Sequence, residues 1–132
     1  MFDNGAVPEV ESNERVARFI IFSRHYRPSD KSVKPDAFMP HPRVELSLTR
    51  HREATMAELW REGERVAALR GAILYGRADV NVEAFLNQQL SVIANPLPEN
   101  LNHADAVLWP TEKSAQKMKA TIIAQQAEFV DF

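Results

Sequence analysis

The 132-residue chain, 45% hydrophobic and 26% charged, is long enough for one domain with a real core and no metal or disulfide staples. It contains no cysteine, which excludes disulfides, thiolate zinc sites, iron–sulfur clusters and a cysteine nucleophile, and fits a reducing compartment. The net charge of −2 is segregated: residues 1–14 carry four acids and no base, residues 15–52 have a balance of +6, and residues 53–132 a balance of −4.

Residues 1–14 mix acids, Asn, Gly and Pro with few large apolar side chains, and read as a flexible acidic tail ahead of a single α+β domain over 15–132. The run Val16-Ala17-Arg18-Phe19-Ile20-Ile21-Phe22 has the pattern of a central strand covered on two sides. Its continuation, Ser23-Arg24-His25-Tyr26-Arg27, is polar and ends at Pro28. Four prolines over 28–43 mark an excursion, pinned to the core by Phe38 and Met39. Val44 to Thr49 alternates as a half-buried strand, with Arg50 in phase with its inward side chains.

Thr55 and Glu58 form a capping box, and Met56, Leu59, Trp60, Gly63, Val66 and Ala67 recur at helical spacing up to the stop at Gly71. Short strands follow at 78–82, 90–94 and 104–109, with a helical stub at Phe85 and Leu86. Pro110-Thr111-Glu112 opens a last helix whose apolar positions include Met118, Ile122, Ile123 and Phe129. The fold expected is α+β, an about five-stranded mixed or antiparallel sheet with two long amphipathic helices packed on it.

No apolar run approaches the ~18 residues needed to span a bilayer, and Met1-Phe2-Asp3-Asn4 lacks the build of a signal peptide. The expected location is cytoplasmic, with no membrane association. The chain has no phosphate loop, GxGxxG, HExxH, GxSxG or EF-hand loop, which argues against an ATPase, a dinucleotide-dependent dehydrogenase or a zincin. The histidines His25, His41, His51 and His103 have no helical i,i+4 pairing, so neither a metal site nor a cofactor is expected.

One polar constellation stands out. Arg24 and Arg50 end two expected strands, and Asn102 and His103 open a third. With His25, and with Arg27, His51 and Arg52 alongside, they would converge if these strand ends share an edge. Guanidinium forks suit carboxylate or phosphate, and imidazole transfers protons near neutral pH. Alternatively Arg50 neutralises Asp79 or Asp105, and Asn102 and His103 cap the loop. The same basic stretch, interleaved with Phe22, Tyr26 and Phe38, is a weak signal for nucleic acid in an acidic chain. At the C-terminus, Phe129 and Phe132 either dock on their own domain or anchor in a protein partner or a second copy.

The strand Val44-Glu45-Leu46-Ser47-Leu48-Thr49-Arg50 and the run from Leu90 to Ala104 resemble small uncharacterised bacterial proteins. These pair an "LSV"-type strand with a P-x-x-N-x-x-H-A-like loop, here Pro98-Glu99-Asn100-Leu101-Asn102-His103-Ala104. The resemblance implies no activity; it singles out Arg50, Asn100 and His103. The function expected is a non-enzymatic interaction or regulatory module acting through a protein partner, with no catalytic residue assigned. The alternative is a small phosphate- or nucleotide-directed enzyme or binding domain using Arg24, Arg50 and His103.

Overall fold

A computed structural model describes residues 7–40 and 44–132. Six strands form one antiparallel sheet in the order β6-β7-β4-β1-β5-β8: β1 (Arg15–Ile20), β4 (Leu46–Arg50), β5 (Gly76–Asn81), β6 (Ser91–Ala94), β7 (His103–Val107) and β8 (Glu128–Asp131). A small hairpin of β2 (Tyr26–Arg27) and β3 (Ser32–Val33) stands apart from it. The helices are α1 (Met56–Leu69), α2 (Val82–Leu86) and α3 (Lys113–Gln126). The architecture is α+β as the patterning indicates, with one strand more than expected. Among the described residues no helix is long and apolar enough to cross a membrane.

Strand pleating divides the sheet into two unlike faces. Paired residues share a face, so Val16, Ile20, Leu46, Leu48, Ala78, Val80, Val92, Ala104 and Ala106 form one apolar surface. It is covered by Ala120, Ile123 and Ala124 of α3, by Phe85 of α2, and by Phe38 from a tight turn at Pro35–Phe38. The other face is mixed, with Phe19 beside Ser47, Thr49, Arg77, Asp79, His103 and Asp105. Only α1 covers it. Gly63 makes that approach possible, because a Cβ there would sit 2.9 Å from the Phe19 ring.

α1 begins at the expected capping box, in which Thr55 Oγ1 accepts from the Glu58 N–H and the Glu58 carboxylate accepts from the Thr55 N–H. Gly71, at φ 59°, ends it.

Two segments depart from the expectations. Order begins before Arg15. Val10 packs on the core, and the carbonyls of Glu14 and Ser12 accept the N–H groups of Val82 and Glu83, satisfying the first donors of α2. At the other end the last helix stops at Gln126, and Phe129 belongs not to it but to β8. Composition did not show this because four residues of Glu-Phe-Val-Asp alternate as well as they continue a helix.

Gly76 is where β8 seats. A Cβ there would lie 2.4 Å from the Val130 carbonyl and 2.7 Å from the Phe129 ring. Gly76→Ala is expected to lower stability by about 1–3 kcal/mol through overpacking, read as a lowered urea midpoint; an unchanged midpoint would show that β8 is not seated as described.

Candidate functional site

The first candidate residue, Arg50, is spoken for. Its side chain is 1% exposed and forms a fork with Glu14, Nε to Oε1 at 2.8 Å and Nη2 to Oε2 at 2.7 Å. Its remaining donors reach the carbonyls of Pro8 and Glu9 at 2.9 and 3.3 Å. The partner is therefore neither Asp79 nor Asp105 but a residue of the presumed tail. Asp79 instead takes Arg77 Nε at 3.0 Å and His51 Nε2 at 3.1 Å. The Arg77 guanidinium also lies 4.5 Å from the Trp60 ring.

Antiparallel pairing separates the rest of the constellation. Arg50 lies opposite Val16, at the start of β1, whereas Arg24 follows the end of β1. Asn102 and His103 do stand beside Arg50, since the Arg50 N–H donates to the Asn102 carbonyl at 2.8 Å. Asn102 Nδ2 holds the Arg52 carbonyl at 2.6 Å, and His103 Nδ1 lies 2.9 Å from the Asn95 carbonyl. Arg24 is exposed and stacks its guanidinium 4.7 Å over the Phe22 ring. His41 lies outside the described residues. Among the described residues no cluster of His, Asp and Glu is arranged to hold a metal ion.

The C-terminal aromatics are engaged within the chain. Phe129 stacks on Tyr26 with ring centroids 4.7 Å apart. Phe132 is 60% exposed but lies against Trp60, with centroids 5.1 Å apart.

A different site emerges where the sheet opens. β1 registers with β5 along its whole length, from Arg15↔Asn81 to Ile20↔Gly76. With β4 it registers only through Val16↔Arg50 and Ala17↔Thr49. Beyond these pairs the strands part, and a cleft of about 520 Å³ lies between them, walled by the second half of α1. Strand alternation says which backbone groups face it. Arg15 turns its carbonyl toward the chain after β4, accepting from His51 N–H, while Ile20 turns its carbonyl to the β5 side, accepting from Tyr75 N–H. Phe19 therefore faces β4, and Ser47 would be its ladder partner.

Arg18 bridges this opening. Its Nη1 donates to the Ser47 carbonyl at 3.1 Å and its Nε to the Ala37 carbonyl at 2.9 Å. Both acceptors are neutral. Among the described residues no carboxylate bridges Arg18 or its neighbour Arg70. Burial, reinforced by the Arg70 charge, pushes the Arg18 guanidinium down to about 10, so it remains a cation at neutral pH. His25 lines the same cleft, and burial together with the charges of Arg18 and Arg24 pushes it down to about 4. The nearby carboxylate Asp36 is already held by Lys117 Nζ at 3.1 Å.

The cleft collects Arg18, Arg70 and a neutral His25, together with the paired Glu62 and Arg65 and the carboxylates of Glu45 and Glu99, around apolar walls of Phe19, Val66 and Leu69. Of the candidate residues, only His25 and His103 line it. Arg18 was missed, although a single arginine inside an otherwise apolar strand run is itself a signal. No protein-family model, curated protein or solved structure matches the chain.

Two measurements test these assignments. Glu14→Gln removes the counter-charge of a buried guanidinium and is expected to cost about 3–5 kcal/mol in urea unfolding; a loss under 1 kcal/mol, about the size of a surface pair, would overturn the enclosed fork. His25 charges in the unfolded chain at its ordinary pKa of about 6.5 but in the fold only near 4. Its share of stability is present above that window and is lost as pH falls through it, by about 3 kcal/mol at most. His25→Asn should flatten stability between those pH values, and an unchanged slope would refute the burial of a neutral imidazole.

Proposed function

We propose that this protein is a non-enzymatic interaction module that recognises an anionic group of a partner in the cleft between β1 and β4. The observation that carries the reading is Arg18, a half-buried cation held by two neutral carbonyls, with Arg70 beside it and, among the described residues, no carboxylate bridging either. Two neighbouring cations repel each other, and an incoming anion removes that cost while gaining charge-assisted hydrogen bonds. The cleft volume is within the range of ligand-binding clefts.

The enzyme alternative built on Arg24, Arg50 and His103 is less well supported. Arg50 has its donors occupied by Glu14, Pro8 and Glu9, and Arg24 lies toward the other end of the sheet. We place the module in the cytoplasm, in keeping with the absence of cysteine.

The test is titration with sodium sulfate at constant ionic strength, followed by amide NMR. Saturable shifts are expected at Phe19, Ser47 and His25. Arg70→Gln, on an exposed side chain that spares the fold, should weaken binding by about tenfold, a loss of 1.4 kcal/mol, and Arg18→Gln should abolish it. Absence of saturable shifts, or equal binding by wild type and both variants, would reject the reading.

A further inference from the structure

β6 forms one edge of the sheet and β8 the other, and the two edges are unlike. β8 carries Glu128 and Asp131, which bridge Arg15 at 3.8 Å and Lys31 at 2.9 Å, and β3 of the small hairpin packs beside it. Charges and a covering segment of this kind keep an edge from pairing with another chain. Leu90-Ser91-Val92-Ile93-Ala94 has no charged residue, no proline and no bulge in the register of β6 with β7. The loop that follows turns back across β7, where Asn100 Nδ2 donates to Thr49 Oγ1 of β4 at 3.1 Å.

Pairing with β7 determines which backbone groups of β6 are open. The Asn95 N–H donates to the His103 carbonyl at 3.0 Å, so by alternation Asn95, Ile93 and Ser91 direct their N–H and C=O groups to β7. Val92 and Ala94 direct theirs outward, where no described strand meets them. These open residues are symmetric about Ile93. A second copy related by a two-fold axis at Ile93 sets Val92 of each copy opposite Ala94 of the other, and each such pair exchanges two N–H···O bonds. Neighbouring registers do less well. With the axis at Val92, Leu90 meets Ala94, but the Leu90 N–H already donates to the Phe85 carbonyl at 3.1 Å. With the axis at Ala94, Val92 meets Pro96, which has no N–H.

The side chains suit the same register. Ile93 stands on the mixed face, 48% exposed, and meets its own copy in a close, non-hydrogen-bonded pair. On the apolar face α2 packs against β6 and leaves Leu86 39% exposed. We propose that this protein self-associates through β6, two copies joining their sheets into one. A second copy is the occupant because a two-fold contact sets the strand against itself, and an uncharged strand meets its own copy without like-charge repulsion. Such a contact closes on itself, and the guarded β8 edge stops further growth, so a dimer forms and not a filament. Self-association requires nothing of the cleft between β1 and β4.

Sedimentation velocity on the full chain over rising concentration reads the association. The contact is small, so the dimer is expected to become the main species only above about 100 μM. Ile93→Lys, on a half-exposed side chain, should raise the dimer dissociation constant by about tenfold or more with an unchanged urea midpoint. Ala94→Pro removes an outward donor while leaving the β7 ladder whole, and should weaken the dimer likewise. In the wild type, hydrogen exchange at the Val92 and Ala94 amides should slow as concentration rises, whereas the Ile93 amide is slow throughout. A monomer up to about 1 mM, well beyond the range of specific association, overturns the inference. So does a dimer that neither variant weakens, growth into species larger than a dimer, or a dimer whose Val92 and Ala94 amides exchange as fast as the monomer's. The exchange measurement uses the wild type alone and decides the matter even where a variant fails to fold.

Discussion

An arginine in the middle of a central strand imposes a condition on everything around it. The guanidinium of Arg18 carries five donors and a charge that cannot be discarded at physiological pH. Two of these donors end on the carbonyls of Ala37 and Ser47. The second of these is a backbone acceptor of β4 that faces β1. The parted strands, the excursion that brings Ala37 over the sheet, and the cleft beside α1 are thus parts of one arrangement. It puts a cation in the opening that, among the described residues, no carboxylate bridges.

The contrast with Arg50 is instructive. Both arginines lie in strands, and both point toward the sheet face that is mostly apolar. Arg50 is matched by Glu14 with a two-point fork, and its remaining donors meet backbone carbonyls. A buried cation satisfied in this way stabilises the fold only conditionally, since removing either partner strands the other. Arg77 lies between these cases, 4% exposed and paired with Asp79, yet with Nη1 lacking a hydrogen-bond partner among the described residues. The three arginines show that strand position alone does not assign a role; the role depends on whether a carboxylate arrives from elsewhere in the chain.

Much of the local structure was legible from the residues. The capping box at Thr55 and Glu58 and the glycine stop at Gly71 each act within a few residues, and the structure carries both, whereas the alternation expected from Val44 to Thr49 holds only over Leu46, Ser47 and Leu48, since Val44 turns at φ 59° ahead of β4 and Thr49 is buried. Phe129 was harder, because helical phase with Ile122 and Ile123 competes with a short edge strand. What decided it was packing: Gly76 leaves room for the Phe129 ring, which then stacks on Tyr26. Residues 8–14 belong to the stretch 1–14 that reads as a tail for a similar reason. Its composition is polar because, apart from Val10 on the core, its contacts are made by carbonyls and one carboxylate.

The candidate site fared differently from the elements that carry it. Charge segregation put the excess of bases in residues 15–52, and Arg18 and His25, which line the cleft, both fall there. Their convergence could not be read from sequence, since it depended on strand direction. With β1 and β4 antiparallel, the end of one strand lies beside the start of the other, so Arg24 and Arg50 belong to opposite ends of the pair. By itself the sequence determined the class of fold and the ends of α1 set by its capping box and glycine, because these arise from interactions a few residues apart. Only the tertiary structure decided which arginine meets a carboxylate and which is held by carbonyls, because counter-ions such as Glu14 and acceptors such as Ser47 reach their arginines from about thirty positions away, and no local pattern encodes that meeting.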